Sequence, residues 1–150
     1  MKIFATSFAV FIGLLAAIGA QVQQPEHGQT LPCQVTRIID GDTLEIEFEP
    51  RTARVRMLDC WCKEAHRVNF DATGKRRKEA DILDDLEAGQ AAKAYLASLA
   101  EGRAATIWVP YHQNVGDETT LGRVLGRVYV GGCDLSDEMV KSGHAKKAKP

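Results

Sequence analysis

Hydrophobic and polar residues alternate in three successive segments in the first half of the chain. The segments are residues 33–40, 43–49 and 53–59. The first is rich in β-branched side chains, and the second places Leu44, Ile46 and Phe48 on one face. A Gly-Asp turn signal at positions 41 and 42 separates these two segments. Together they predict a meander of three short antiparallel strands.

A helical period replaces the alternation from about Asp81 to Ala100. Acidic residues are concentrated at the start of this segment, where they complement the helix dipole. Gly89 weakens its middle and is an alternative position for the true start of the helix. Residues 105–110 and 123–130 predict two more strands, and residues 135–141 predict a short helix before a glycine.

Three strands, a helix, two strands and a helix define the predicted fold. This order matches an α+β, mostly β architecture, a five-stranded Greek-key barrel of the OB type. The main helix follows strand 3, and the short helix lies at the C-terminal end. Residues 60–80 show no period and predict a long loop. Loops of this length in compact domains are usually functional or mobile.

The beginning of the chain has the layout of a secretory signal peptide. Lys2 precedes an apolar run over residues 3–18, and two small residues follow before a polar stretch. A membrane anchor is the alternative, because the run approaches the ~18 residues of a spanning helix. We expect a signal peptide (1–20), a linker (21–32) and one domain (33–150). The mature protein is then secreted or periplasmic and has no membrane association.

Composition and charge fit a single globular domain. The 150 residues are 45% hydrophobic and 26% charged, and the formal net charge is −1. This balance excludes a protein that binds nucleic acid or membranes through bulk positive charge. Residues 51–80, however, hold nine basic side chains against four acidic ones. Any anion-binding role must therefore come from a local patch.

Four cysteines, Cys33, Cys60, Cys62 and Cys133, lie in the predicted domain. An even number in an exported chain makes disulfides plausible, and four cysteines allow three pairings, which all remain open. The Cys60-x-Cys62 segment lacks the two-residue spacer of common zinc sites. The sequence therefore favours structural cysteines over metal ligands.

The candidate catalytic and ligand-binding side chains lie in or at the ends of the predicted strands. The turn Asp40-Gly41-Asp42-Thr43 carries two carboxylates, which suit a hard cation such as Ca²⁺, although Asp-Gly turns are also common hairpin chemistry. Arg56 lies within an apolar strand and needs either an ion-pair partner or an anionic substrate. Glu64 follows the strand end, where a general base would face the barrel mouth.

The order Asp42, Arg56, Glu64 and Arg123 on this strand pattern resembles the staphylococcal nuclease (thermonuclease) family, over about residues 33–148. The resemblance implies Ca²⁺-dependent cleavage of phosphodiester bonds in DNA and RNA. It assigns Asp42 to the metal and Glu64 to activation of the attacking water. It assigns Arg56 and Arg123 to the phosphate. We expect a monomer with no obligate protein partner.

Several positions depart from the family pattern. The second metal carboxylate aligns with Trp61, and the proline before the catalytic glutamate is Lys63. The family's tyrosine before Gly-Arg is Leu121 here, and its tyrosine that stacks on a base near the C-terminus aligns with Lys149. Loss of an anionic ligand weakens a hard-cation site. Our hypothesis is that Asp59 partly replaces this ligand through a bulge or shift of the strand.

Two classes of function remain open. One is a secreted metal-dependent nuclease, and the other is a barrel of the same fold that binds nucleic acid or protein without cutting. The trio Arg56, Glu64 and Arg123 favours the enzyme, since a pure binding module does not need it. Trp61 and the missing stacking tyrosine favour the binding module. We favour the enzyme.

Overall fold

The computed structural model describes residues 27–110 and 123–147. Its elements are β1 (Gly28–Asp40), β2 (Thr43–Phe48), β3 (Arg51–Met57), α1 (Glu79–Ala100), β4 (Ala104–Pro110), β5 (Val124–Val130), β6 (Cys133–Asp134) and α2 (Leu135–Lys141). The expected signal peptide, linker residues 21–26, Leu121 and Lys149 lie outside the described residues.

Five strands close into a barrel. Strands β1, β2 and β3 form the predicted antiparallel meander, while β1 also pairs with β4 and β4 pairs with β5. A parallel pairing of β3 with β5 closes the ring. The alternating apolar positions face inward, so that Leu44, Ile46 and Val55 have no exposed surface. The OB-type prediction, with a main helix after strand 3 and a short C-terminal helix, is confirmed.

Strand β1 begins at Gly28 rather than at residue 33. The backbone of residues 28–32, predicted as part of the linker, pairs with β4 from Gly28–Pro110 to Pro32–Thr106. This segment is largely exposed, and it is held by backbone hydrogen bonds. Because it does not bury alternate side chains, its sequence shows no alternation of apolar and polar residues. Strand β6 was not predicted, because two residues are too few to show a period.

The main helix is continuous from Glu79 to Ala100 and passes through Gly89, which therefore does not mark its start. It packs against β1 and α2. Helix α2 is capped by Asp134, whose carboxylate accepts a hydrogen bond of 2.9 Å from the Ser136 backbone N–H. Gly143 adopts a positive φ of 80° after this helix, as the sequence predicts.

The core fills the barrel and continues beneath both helices. Its largest fully buried side chains are Leu44, Ile46, Met57, Leu96, Ile107, Leu135, Met139, Val35, Val55, Val109, Val124 and Val128. Neither helix within residues 27–110 and 123–147 is long and apolar enough to cross a membrane.

Candidate active site

Asp42 and Arg56 form an ion pair at the edge of the barrel interior. Asp42 is only 2% exposed, and its Oδ1 accepts hydrogen bonds from Arg56 Nη1 and from the Thr43 hydroxyl. The second carboxylate oxygen accepts the Cys62 backbone N–H at 3.0 Å. Thr43 and Arg56 are cross-strand partners, so the sheet register itself sets up this contact. Each oxygen of the buried carboxylate therefore has a donor.

A second cluster of ionisable side chains lies at the end of β1 and in the loop that follows β3. Asp40, Glu64 and His66 each offer one ligand atom, and these atoms all lie within 4.8 Å of one another. His66 Nδ1 is 3.5 Å from a Glu64 carboxylate oxygen. The side chains of His66 and Glu64 are 66% and 49% exposed. Two carboxylates and an imidazole form a donor set that can hold a divalent cation.

Two glycines hold the Glu64 loop in place. A Cβ atom on Gly89 would lie 2.1 Å from the Glu64 carbonyl oxygen, so only glycine lets the loop approach α1 this closely. A Cβ atom on Gly41 would lie 2.7 Å from Ala92 Cβ and 2.9 Å from Cys62 Sγ. The loop therefore packs closely against both the β1–β2 turn and helix α1. In the sequence, Gly89 indicated only a weak point in the helix.

Asp40 also helps to fix the loop. Its Oδ1 accepts the Ala65 backbone N–H at 3.1 Å, which joins the end of β1 to the residue between Glu64 and His66. Sequence reasoning left His66 unassigned and did not associate Asp40 with Glu64. The Glu-x-His spacing was visible, but the partnership with Asp40 depends on the fold.

Arg123 directly precedes β5. Val124 pairs with Val55, and Leu125 pairs with Arg56, in the parallel β3–β5 ladder. Arg123 therefore comes two residues before the partner of Arg56, about 6.6 Å along the strand. The structure brings Arg56 to Asp42 and places Arg123 at the start of the adjacent strand. It groups Glu64 with Asp40 and His66 rather than with Asp42.

Asp59 takes part in a different ion-pair cluster. Strand β3 ends at Met57, and Asp59 has a positive φ of 53°, so Asp59 lies beyond the strand and no bulge or shift of the strand brings it to Asp42. Its carboxylate pairs with Arg127, which also donates to Asp134 at 2.7 Å. The structure therefore does not support Asp59 as a replacement metal ligand.

Trp61 is the residue that the resemblance in the sequence aligns with a metal carboxylate. Its backbone N–H and carbonyl both bond to Lys146, at 2.8 and 2.9 Å. The indole ring is 42% exposed, and Lys63 Nζ lies 5.3 Å from its centroid. The side chain offers a metal no ligand and instead presents an aromatic surface near Glu64.

The four cysteines are free thiols in the structure. A hydrogen bond between the Cys60 and Cys62 side chains, together with burial, raises the pKa of Cys60. Burial raises the pKa of Cys33 to about 11. Both shifts favour the neutral thiol form of Cys33 and Cys60. None of the three disulfide pairings left open by the sequence is formed among these four described residues.

The described residues thus form a small OB-type barrel in which the buried Asp42 carboxylate pairs with a half-buried Arg56, beside a largely exposed carboxylate–histidine group. No known family model matches the chain. The chain is 29% identical over 117 residues to two curated proteins named "Uncharacterized endonuclease", from Escherichia coli and Escherichia coli O157:H7. The match covers 75% of this chain and 58% of each relative. It supports a relationship to nuclease-like proteins.

Proposed function

We propose that the chain is a secreted metal-dependent nuclease that hydrolyses phosphodiester bonds of DNA or RNA. The observation that carries this proposal is the grouping of the half-buried Asp40 with the exposed Glu64 and His66 side chains beside the Asp42–Arg56 pair. The endonuclease-named relatives support the same reaction class.

The two arginines are assigned to the phosphate. Asp42 engages one Nη atom of Arg56, whose side chain is still 25% exposed. A guanidinium has five N–H donors in a fixed fork, so Arg56 retains donors for phosphate oxygens while Asp42 fixes its orientation. Arg123 is the second phosphate ligand in this proposal. Such donors stabilise charge that builds up on the phosphate during hydrolysis.

Asp40, Glu64 and His66 would hold the divalent cation. The resemblance implies Ca²⁺, and the imidazole makes the donor set suitable for Mn²⁺ as well. A bound ion supplies Lewis-acid polarisation of the phosphate and lowers the pKa of bound water. Each group offers the ion one ligand atom, so the second carboxylate oxygen of Glu64 is left to accept a proton from water as the general base. Asp42, expected from the sequence as a metal ligand, is assigned to positioning Arg56.

Digestion of single-stranded DNA and of RNA by the purified protein tests this function. The reactions contain Ca²⁺, Mn²⁺ or a chelator, and they compare the native chain with Glu64→Gln. We expect metal-dependent cleavage and a loss of about 100-fold or more in Glu64→Gln, the lower end of general-base effects. Glu87→Gln, an exposed substitution on α1, is the matched control.

Two outcomes would contradict the proposal. Cleavage that persists in the chelator, or an undiminished rate in Glu64→Gln, would remove the assigned chemistry. Binding of the strands without any cleavage would favour the alternative, a nucleic-acid-binding module, for which the exposed Trp61 ring is the supporting observation.

A further inference from the structure

A cleft lies between the loop after β3 and helix α1, directly beside the candidate site. Its volume is about 160 Å³. The residues on the two sides include Trp61, Glu64 and His66 from the loop and Ile82, Asp85 and Leu86 from the helix. An engineered apolar cavity of about 150 Å³ in another protein holds benzene. The cleft therefore has the size of one six-membered ring.

The lining combines apolar surfaces with a charged edge. Ile82 and Leu86 supply apolar surface from α1. Asp85 pairs with Lys63, at 2.9 Å between Nζ and Oδ1, and with Arg77. A flat ring with hydrogen-bonding groups along its edge matches both features, because its faces are apolar and its edge is polar.

Trp61 gives this cleft an aromatic wall. Two hydrogen bonds between its backbone and that of Lys146 fix the position of its Cα, and the Lys63 ammonium lies 5.3 Å from the ring centroid. Stacking of a base on an aromatic side chain is sequence-tolerant and does not require a second strand. A base in a duplex is already stacked on both faces and paired along its edge.

We propose that this cleft binds one unpaired pyrimidine base of a single-stranded nucleic acid, with the ring against Trp61 and the polar edge toward the Asp85 ion pairs. A purine has two fused rings and is larger than the single ring that a cavity of similar volume holds. Because Glu64 lines the same cleft, the bound base would neighbour the phosphate that is cleaved. This proposal deepens the nuclease assignment and rests on it for the choice of a nucleic-acid strand.

Tryptophan fluorescence in the presence of a chelator tests the cleft without any cleavage. The chain has two tryptophans, so Trp108→Phe leaves Trp61 as the sole reporter. Titrations use an oligo-dT octamer, an oligo-dA octamer and the duplex of the two. We expect saturable quenching by oligo-dT, with oligo-dA and the duplex binding at least about 5-fold more weakly.

Anisotropy of labelled oligo-dT supplies the second measurement, again with a chelator. Trp61→Ala should raise Kd by about 5- to 100-fold, the range expected for loss of one stacked base. Leu86→Trp, which narrows the cleft, should also weaken oligo-dT binding. Leu83→Ala removes another exposed apolar side chain of α1 and should leave Kd unchanged.

The outcomes separate the two proposals. Equal binding of oligo-dT, oligo-dA and duplex, or an unchanged Kd in Trp61→Ala, overturns the cleft assignment even if the protein is a nuclease. Selective oligo-dT binding by a protein that cleaves no substrate supports base binding in the cleft and contradicts the nuclease assignment. Circular dichroism of each variant shows whether the fold is retained, and Leu86→Trp decides if Trp61→Ala does not fold.

Discussion

Two carboxylates of one short turn, Asp40 and Asp42, belong to opposite kinds of environment. Asp42 is 2% exposed and has donors on both oxygens, including the guanidinium of Arg56. Asp40 is half-buried and binds the Ala65 backbone N–H through Oδ1 alone, and it faces Glu64 and His66, whose side chains are about half exposed or more. The His66–Glu64 contact of 3.5 Å is too long for a strong hydrogen bond.

The difference indicates that Asp42 has a structural role, whereas Asp40, two residues earlier, belongs to a candidate ligand-binding cluster. A buried carboxylate with satisfied oxygens holds its neighbours in place, and removing it leaves an unpaired charge. An exposed group with unused lone pairs adds little to stability and remains available to a cation. Neighbouring carboxylates in a turn therefore do not have to serve the same ligand.

The largest effect that follows from this comparison concerns Asp42→Ala. The substitution leaves Arg56, the Thr43 hydroxyl and the Cys62 backbone N–H without their acceptor. We expect a loss of about 3 kcal/mol or more in the free energy of unfolding, as for other broken buried pairs. Urea denaturation measures it. Glu64→Gln should change the same quantity by less than about 0.5 kcal/mol, because its side chain is exposed.

Similar losses in both variants would remove the distinction between the two environments. Asp42→Ala would also reduce cleavage through the misplaced Arg56. Activity alone therefore cannot separate the roles, and the unfolding measurement decides between them.

The next effect concerns the affinity for a cation. His66→Gln removes the imidazole from the group of three ligands, and we expect binding of Mn²⁺ to weaken by about 10-fold or more. Calorimetric titration of the full chain with Mn²⁺ and with Ca²⁺ measures it. His27→Gln, at another exposed histidine, is the matched control. Unchanged affinity for both ions in His66→Gln would show that the group does not bind them.

The barrel was predictable because its strands bury alternate residues and its turns carry glycine or proline. Positions such as Leu44, Ile46 and Val55 face inward as their spacing indicates. What the sequence could not supply were the elements held by backbone bonds alone. The start of β1 at Gly28 is of this kind, because its exposed residues pair with β4 without an apolar period.

The candidate site was only partly predictable, for a related reason. The Arg56 side chain inside an apolar strand required a partner, and Asp42 is that partner. Asp40 and Glu64 lie 24 positions apart, and only the docking of the loop against Gly89 brings them together. Such a contact depends on the close approach of backbone atoms, which no local pattern records.

The smallest effect concerns Asp85, which joins the loop to α1 through half-buried ion pairs with Lys63 and Arg77. Its hydrogen bond from Lys63, assisted by Arg77, lowers the pKa of Asp85 below its usual value. The stabilisation is therefore present above the unfolded-state pKa of about 3.9 and is lost as the pH falls through the lower folded-state pKa. We expect Asp85→Asn to reduce the free energy of unfolding by less than about 1 kcal/mol at pH 7.

The pH dependence of the free energy of unfolding measures how much the Asp85 ion pairs contribute. Urea denaturation of the native chain and of Asp85→Asn should give curves that converge as the pH falls from about 5 to 3. Asp84→Asn changes the adjacent exposed carboxylate and is the matched control. A loss in Asp85→Asn as large as that in Asp42→Ala would mean that the loop and its cleft are held as firmly as the barrel. The position of Glu64 and His66 would then depend on the Asp85 ion pairs rather than on the packing of the loop against Gly41 and Gly89.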